Sequence, residues 1–386
     1  MSPTPVTFSS PTKPASWSWE ATSGEVAARY GVPIEQVVRF DQNTAPAPPD
    51  LVQEVLAAGR FEVAISEYPP SDYGRLIDAA AARYGVARDE LLVGAGADEL
   101  LELVTKAFVP PGGAAIVPIP TYPMYAILTD QRTGRVTRVP RRSAEDGFAL
   151  DIDAVRSAAA ESDEGGPLAS LVWLCSPNNP TGRAEPPGLI AALLDGLASD
   201  AERAGRAAPT VVVDEAYIEF AGDSVAPLRA SYPRLVVLRT LSKAYGIAGL
   251  RVGFAIARPE LIDEIAVYRP PGSVSVVSVD VGAALLSADS IARDRVAAVA
   301  AERERFSAGL AAAGWRPQDS TTNFLLVAFD SPAAAGAAAE GLLSRGLIPR
   351  TFPEGHPLAY CLRLTVRNRE QDDRLIAAAG ELASES

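Results

Sequence analysis

The chain has 386 residues, of which 48% are hydrophobic and 22% are charged, a composition typical of a globular protein with more than one domain. Its formal net charge of −13 disfavours nucleic acid and anionic membranes as partners, because both carry negative charge. Two cysteines cannot form a disulfide framework, and a single histidine, His356, argues against most zinc sites and against a histidine-based triad. We therefore expect no metal site.

The N-terminal segment predicts a flexible arm. Residues 1–20 are rich in Pro, Ser and Thr and contain no apolar run long enough for a signal peptide. No later stretch is long and apolar enough to span a membrane. These features favour a cytoplasmic protein without a membrane partner.

From about residue 51, helical periodicity alternates with short runs of Val, Leu and Ile, which predicts an α/β fold with a mostly parallel sheet. Continuous apolar runs fit strands that are buried on both faces. A helix is predicted at about 98–108. The predicted strands of this sheet are 91–93, 114–117, 171–174, 211–213, 235–238 and 253–256.

The Arg-Pro-Pro-Gly sequence at 269–272 breaks this alternation and is a candidate hinge. Beyond it the pattern predicts a helix from roughly 287 to 313, a strand at 323–327, another helix and a strand at 362–366, which is typical of a smaller α+β domain. We therefore predict a large domain over 51–272 and a small domain formed by 21–50 and 273–386.

Polar residues follow two of the predicted strands, where open α/β sheets bind ligands. Asp214 ends an apolar run and could keep a ring nitrogen protonated, while Tyr217 could reach an oxygen of the same ring. Asn179, in the sequence SPNNPTG, could donate its amide to a phenolate-like oxygen. A simple turn and a solvated strand end remain the alternatives.

The sequence Gly-Ala-Gly-Ala-Asp at 94–98 follows a predicted strand and opens a helix. The free N–H groups and the positive dipole end of such a helix suit a phosphate. The alternative is a helix cap formed by Asp98. A dinucleotide-binding motif fits poorly because Glu99 takes the place of its third glycine, which disfavours a nicotinamide oxidoreductase.

Lys243 lies among small and apolar residues in the run LSKAYGIAGLRVG. Desolvation and nearby cations favour the neutral amine, which is a nucleophile for carbonyl groups. Ser242 and Arg251 offer a hydroxyl and a fixed positive charge to a phosphate. An amine beside a phosphate cradle suggests pyridoxal phosphate held as a Schiff base. A lysine at the edge of the core is the alternative.

Two further residues have both a binding and a structural interpretation. Tyr122, in the sequence PTYPMY, could stack on a flat ligand or belong to the core. Arg363 alternates with apolar residues on a predicted strand and could bind a carboxylate or phosphate, or form a structural salt bridge.

Four motifs, SPNNPTG, DEAYIEF, TLSKAYGIAGLRVG and CLRLTV, occur in the order found in one enzyme family. With them the chain resembles the fold-type I aminotransferases that depend on pyridoxal phosphate, most closely the histidinol-phosphate aminotransferase branch, over about residues 39 to 382. The resemblance implies a large domain with a mostly parallel sheet and a smaller α+β domain. It also implies pyridoxal 5'-phosphate, an amino donor, a 2-oxo acid such as 2-oxoglutarate, and a homodimer with shared active sites.

The resemblance also assigns roles to individual residues. It implies that Lys243 binds the cofactor and moves a proton at the substrate α-carbon, that Asp214 pairs with the ring nitrogen, and that Tyr122 stacks on the ring. It implies that Asn179 and Tyr217 bind the ring oxygen. The implied phosphate-binding residues are Ala97, Asp98, Ser242, Arg251 and, from the neighbouring subunit, Tyr68. The implied substrate-binding residues are Asn43, Arg350 and Arg363.

Two departures from the family pattern fall on the substrate side. Where the family has N-E-N-P-Y-G-P, this chain has DQNTAPA at 41–47, which keeps Asn43 but lacks the tyrosine expected at the substrate phosphate. After Arg350, Thr351 and Phe352 replace an acidic residue.

These departures leave several activities to consider. We expect an aminotransferase for histidinol phosphate or a related amine or amino acid. The alternatives are an aminotransferase for aromatic or other amino acids, or a decarboxylase of the same branch. A non-catalytic regulator on this scaffold usually carries a DNA-binding module, for which the chain has no room.

Overall fold

The computed structural model of the protein describes residues 20–161 and 166–385. All of the arm predicted for residues 1–20 except Glu20 therefore lies outside the described residues. None of the helices in the described ranges has both the length and the apolarity needed to cross a bilayer.

The strands predicted from apolar runs are all present, together with four others in the described residues. The strands are β1 (Val38–Arg39), β2 (Leu91–Gly94), β3 (Ala114–Ile119), β4 (Arg135–Pro140), β5 (Ala169–Cys175), β6 (Thr210–Asp214), β7 (Leu235–Thr240), β8 (Gly253–Ile256), β9 (Arg316–Pro317), β10 (Phe324–Ala328), β11 (Leu347–Ile348) and β12 (Cys361–Thr365).

Helices connect most of these strands. The α-helices are α1 (Ser23–Tyr30), α2 (Asp50–Ala58), α3 (Gly74–Tyr84), α4 (Gly96–Phe108), α5 (Met124–Gln131), α6 (Ile152–Ala160), α7 (Pro187–Arg203), α8 (Ile218–Ala221), α9 (Pro259–Ala266), α10 (Val276–Ser287), α11 (Asp289–Ala312), α12 (Pro332–Leu343) and α13 (Arg369–Glu385).

The largest sheet has seven strands in the order β2-β8-β7-β6-β5-β3-β4. All neighbours are parallel except β8, which is antiparallel to both β2 and β7, so the predicted mostly parallel sheet is confirmed. Strand β4 was not predicted. Its sequence, RVTRVP, lacks a continuous apolar run because it lies at the edge of the sheet and is half-buried.

The large sheet is buried on both faces, which explains the continuous apolar runs of its strands. Val172 and Val213 contribute to the core on one face, whereas the adjacent residues Trp173 and Val212 contribute to the core on the other. Successive side chains of a strand point to opposite faces, so both must be apolar when both faces are covered.

A second core is built mainly from the C-terminal part of the chain. Phe306 of α11, Leu325 of β10, Leu342 of α12 and Leu364 of β12 pack together there. The sheet under these helices has the order β12-β10-β9. Strand β1 pairs in parallel with β11, which brings Val38 from near the N-terminus into the same core.

The change from one core to the other falls within helix α11, beyond the candidate hinge at 269–272. Helix α10 packs against α2 and α3, and its Val279 and Leu285 belong to the core of the large sheet. Within the long helix α11, Ala292 joins that core and Phe306 joins the second one. Helix α10 therefore packs on the core of the large sheet although it lies beyond residue 272, and the predicted division into domains stays a prediction. Proline and glycine interrupt the sequence at 269–272, but the apolar surface of α10 decides where it packs.

Candidate active site

The carboxyl ends of three adjacent parallel strands meet at one edge of the large sheet. Asn179 follows β5, Asp214 is the last residue of β6, and Lys243 follows β7. In this register, Asp214 pairs with Cys175 on one side and with Leu238 on the other. The sheet therefore brings Lys243 together with Asn179 and Asp214, the two residues that the sequence placed at strand ends.

Lys243 lies on the loop between β7 and β8 with its amine directed into the site. Its Nζ donates to the carbonyl oxygen of Gln42 at 3.3 Å and lies 5.7 Å from the centre of the Tyr217 ring. Burial lowers the pKa of Lys243 to about 8, and the positive charges of Arg363 and Arg251 act in the same direction. The amine is thus prepared to lose its proton at a pH where an exposed lysine would keep it.

Asp214 is held by a residue that the sequence did not single out. The buried hydroxyl of Tyr125 donates to Oδ2 of Asp214 at 2.8 Å, and the backbone N–H of Ala216 donates to Oδ1 at 3.0 Å. Tyr125 also stacks on Trp173, with ring centres 5.1 Å apart. Burial raises the pKa of Asp214 to about 6, which a cationic ring nitrogen beside it would oppose. The only sequence signal for Tyr125 is that it lies in the same PTYPMY run as Tyr122, and this does not indicate a contact with Asp214.

Arg251 and the first residues of α4 form a corner whose geometry would suit an anion. Arg251 reaches this helix end, with Nη2 3.0 Å from Oδ2 of Asp98. A Cβ on Gly253 would lie 2.7 Å from the backbone carbon of Gly96, and a Cβ on Gly96 would lie 2.6 Å from Nη2 of Arg251. Glycine is therefore required at both positions for the strand, the helix end and the arginine to approach this closely.

Two hydroxyls complete the corner. Thr240 donates to Oγ of Ser242 at 2.9 Å and accepts from its backbone N–H at 3.1 Å. Both residues face the same cavity as Lys243. Thr240 was not among the sequence-predicted site residues, because its position three residues before the lysine carries no distinctive signal of its own.

Arg363 joins the second core to the strand ends. Its Nη1 donates to Oδ1 of Asn179 at 2.5 Å, and its Nη2 donates to the backbone oxygen of Asp41. Burial lowers the pKa of Arg363 to about 10, and the neighbouring Arg350 acts in the same direction. Its buried Nε lacks a hydrogen-bond partner in the described residues, so the group retains capacity for an anion.

Asn43 and Tyr217 form a second link between the two cores. The side-chain Nδ2 of Asn43 donates to the hydroxyl of Tyr217 at 2.9 Å, and the backbone N–H of Asn43 donates to Oγ1 of Thr365 at 2.9 Å. The Tyr217 ring contacts Phe324 edge to face. Burial raises the pKa of Tyr217 above its ordinary value, so the phenol keeps its proton.

One cavity of about 430 Å³ collects nearly all the sequence-predicted site residues. Tyr122 lies on its wall and donates its hydroxyl to Oδ1 of Asp98 at 3.0 Å. Tyr68 is the exception, because it lies outside the cavity with 91% of its surface exposed. The predicted residues that line the cavity are Asn43, Ala97, Asp98, Tyr122, Asn179, Asp214, Tyr217, Ser242, Lys243, Arg251, Arg350 and Arg363.

The donors of this cavity fit pyridoxal 5'-phosphate. Lys243 could supply an amine for the aldehyde, Asp214 a carboxylate for the ring nitrogen, and Tyr122 an aromatic face, since all three line the cavity. The start of α4, with Ser242 and Arg251, supplies hydrogen-bond donors and positive charge for the phosphate. The site therefore defines an enzyme that uses this cofactor.

Comparison with known proteins agrees with this class. The family model for aminotransferases of class I and II matches residues 36–378. The histidinol-phosphate aminotransferase of Xylella fastidiosa (strain 9a5c) is 38% identical over 321 residues, which are 82% of this chain and 84% of the relative. That of Roseiflexus castenholzii is 34% identical, over 93% of both chains. The crystal structure of histidinol-phosphate aminotransferase from Sinorhizobium meliloti in complex with pyridoxal-5'-phosphate has a TM-score of 0.84 at 25% identity, covering 98% of this chain and 99% of the other.

The chain belongs to the class I and II aminotransferase family. It is a pyridoxal-phosphate-dependent aminotransferase, with the fold that the sequence motifs implied.

The hydrogen bond from Tyr125 to Asp214 can be tested with Tyr125→Phe. Because that bond lowers the pKa of Asp214, its loss raises the pKa, and the acid limb of the kcat–pH profile should move to higher pH. We expect kcat near pH 7 to fall about tenfold. Tyr84→Phe is the matched control, because the buried Tyr84 hydroxyl lacks a hydrogen-bond partner in the described residues. An unshifted acid limb in Tyr125→Phe would contradict this role.

Proposed function

We propose that this aminotransferase takes its amino group from histidinol phosphate and transfers it to 2-oxoglutarate. The observation that carries the proposal is that Arg350 and Arg363 line the same cavity as Lys243. Their backbones exchange two hydrogen bonds of 3.0 Å, so they are direct cross-strand neighbours. Paired guanidinium groups recognise carboxylate and phosphate oxygens. The names of the relatives support histidinol phosphate as the donor.

In this proposal the polar groups of the cavity have separate roles. When bound, pyridoxal phosphate supplies an aldehyde that condenses with amines and a ring that withdraws electrons from the substrate α-carbon. Asp214 holds the ring nitrogen in its protonated form. Lys243, with its lowered pKa, takes the proton from the substrate α-carbon and therefore acts as the general base.

The remaining residues bind and orient. Asn179 accepts from Arg363 through its oxygen, which keeps its amide nitrogen as the donor to the ring oxygen, and Tyr217 is the second donor. Tyr122 covers the ring. Ala97, Asp98, Ser242 and Arg251 bind the cofactor phosphate at the start of α4. Arg363 binds the carboxylate of the 2-oxo acid, Arg350 binds a distal anionic group, and Asn43 holds Tyr217 in place.

The reaction type is tested by replacing Lys243. We expect Lys243→Ala to lose covalent, borohydride-reducible attachment of the cofactor and to lower kcat by at least about a thousandfold, because both the nucleophile and the base are removed. Lys106→Ala is the control, since Lys106 lies on the surface of α4 in an ion pair with Glu102. If Lys243→Ala kept full activity, the proposed role would be wrong.

One observation favours a second donor class, aromatic or other amino acids. Ala45 occupies the position of the family's substrate-side tyrosine, so a hydroxyl that could bind a substrate phosphate is missing. The residue after Arg350 is likewise uncharged, because Thr351 replaces an acidic side chain. Both differences fall on the substrate side of the family's motif pattern, next to the cavity-lining residues Thr44 and Arg350.

The amino donor is identified by measuring single half-reactions with histidinol phosphate, glutamate or phenylalanine. The change in cofactor absorbance monitors each half-reaction. We expect the highest kcat/KM with histidinol phosphate. Arg350→Ala should raise the KM for histidinol phosphate about tenfold or more, and should leave the KM for phenylalanine nearly unchanged, because phenylalanine has neither a phosphate nor a second carboxylate for that guanidinium to bind. A higher kcat/KM with phenylalanine would select the second donor class instead.

We further propose that the enzyme is a homodimer whose subunits share their active sites. Large apolar and aromatic side chains are exposed around Tyr68, namely Ile65, Val267 and Tyr268. These residues lie on two neighbouring segments, since Arg269 donates to the backbone oxygen of Ser71 at 2.7 Å. Exposed apolar patches of this kind are typical of subunit interfaces, and Tyr68 would reach the cofactor phosphate of the partner.

Mixing two inactive variants tests the shared site. Tyr68→Ala and Lys243→Ala each impair every site of their own dimer. In randomly mixed dimers of the two, roughly a quarter of all sites would combine an intact Tyr68 with an intact Lys243, so activity should return to that extent. No recovery of activity in mixed dimers that are confirmed by mass spectrometry would contradict the shared site.

We propose that the enzyme works in the cytoplasm. Cys175 and Cys361 are both buried and not joined to each other, and burial raises the pKa of each thiol to about 12. Buried, protonated thiols suit a reducing compartment, where disulfides do not contribute to stability.

A further inference from the structure

Glu20 lies against Arg350, one of the two arginines that line the cavity as cross-strand neighbours. One carboxylate oxygen of Glu20, Oε1, accepts hydrogen bonds from the backbone N–H and the hydroxyl of Thr351, both at 2.9 Å. The same oxygen lies 3.6 Å from Nη1 of Arg350. The next residue is fixed separately, because Arg39 donates to the backbone oxygen of Ala21 at 3.0 Å. Glu20 is therefore held next to a cation that lines the active site.

The surroundings of Arg350 explain why a carboxylate is favourable there. Arg363 is the direct cross-strand neighbour of Arg350, so their two positive charges repel each other. The hydrogen-bond acceptors of Arg363 include two neutral oxygens, the side-chain Oδ1 of Asn179 and the backbone oxygen of Asp41. Glu20 and Arg350 are mostly buried, with 19% and 17% of their side chains exposed, so their attraction is only partly screened by water.

We propose that Glu20 competes with the distal anionic group of the substrate for Arg350, and so determines which substrates bind well. A substrate with a single carboxylate occupies Arg363 and leaves the pair between Glu20 and Arg350 intact. A substrate with a second anionic group must displace Glu20 from Arg350 before that group can bind. The inference rests on the proposed function, in which Arg350 and Arg363 bind substrate anions.

This competition has a definite energetic consequence. Displacing Glu20 breaks an ion pair and leaves two hydrogen bonds from Thr351 to be replaced by water or by the incoming anion. The cost appears only with doubly anionic ligands, so Glu20 weakens their binding and leaves that of singly anionic ligands unchanged. Ala21 stays fixed to Arg39, which means that only the Glu20 side chain has to move.

The test compares two unreactive acids that lack the amino group, so that binding is measured without turnover. Glutarate carries two carboxylates and 3-phenylpropionate carries one. Their dissociation constants for the cofactor-loaded enzyme are measured by calorimetry for the wild type and for Glu20→Gln, which removes the charge and keeps the size. We expect Glu20→Gln to bind glutarate about threefold to tenfold more tightly and 3-phenylpropionate equally well.

Two further variants separate competition from a general structural effect. Thr351→Val removes one hydrogen bond to Glu20 and keeps the charge of Glu20. It should therefore also tighten glutarate binding, but by a smaller factor than Glu20→Gln. Glu35→Gln changes an exposed glutamate of the same N-terminal region and should change neither acid. In the catalysed reaction, Glu20→Gln should lower KM for 2-oxoglutarate, which carries two carboxylates, by a similar factor, with kcat within about twofold.

The outcomes are distinct. If glutarate binds equally well to the wild type and to Glu20→Gln, while Arg350→Ala weakens it, Glu20 does not compete and the proposed function still stands. Tighter binding of both acids to Glu20→Gln would also overturn the competition, because the effect would not depend on a second anionic group. If neither acid binds to the wild type, anion recognition by Arg350 and Arg363 fails, and with it both proposals.

Discussion

The parallel register of β5, β6 and β7 is the constraint on which the active site depends. In this arrangement the ends of three strands lie side by side, so Asn179, Asp214 and Lys243 come together although they are far apart in sequence. These ends must remain polar while the strands behind them are buried on both faces. The apolar runs that fix the sheet thus also fix the position of the chemistry.

A second constraint holds the segment of residues 41–47 across the cavity. Side chains from several elements donate to its backbone carbonyls and replace the hydrogen bonds of regular secondary structure. Lys243 and Arg363 are two of these donors, and both also line the cavity. The segment therefore connects the two cores at the active site. The donor and acceptor pairs are Arg363 and Asp41, Lys243 and Gln42, Asn323 and Asn43, Arg367 and Thr44, and Arg295 and Ala47.

Basic side chains outnumber acidic ones around the cavity, whereas the whole chain carries a negative net charge. A protein with a formal net charge of −13 places Lys243, Arg251, Arg350 and Arg363 around one cavity. Burial and mutual repulsion lower the pKa values of Lys243 and Arg363, which makes an anionic ligand favourable there. Anion recognition is therefore a local property: the fold gathers basic side chains at one site, although the chain as a whole is negatively charged.

The sequence by itself determined the large sheet, the residues at its strand ends and the family, because apolar runs and short motifs are local patterns. It missed β4, whose edge position removes the apolar run, and it did not indicate that α10 packs on the core of the large sheet. Only the tertiary structure decided that Tyr125 holds Asp214, that Arg363 contacts Asn179 and that Glu20 reaches Arg350. Each of these contacts joins segments that are distant in sequence. The packing of whole helices and strands determines which residues meet, and local sequence patterns do not contain that information.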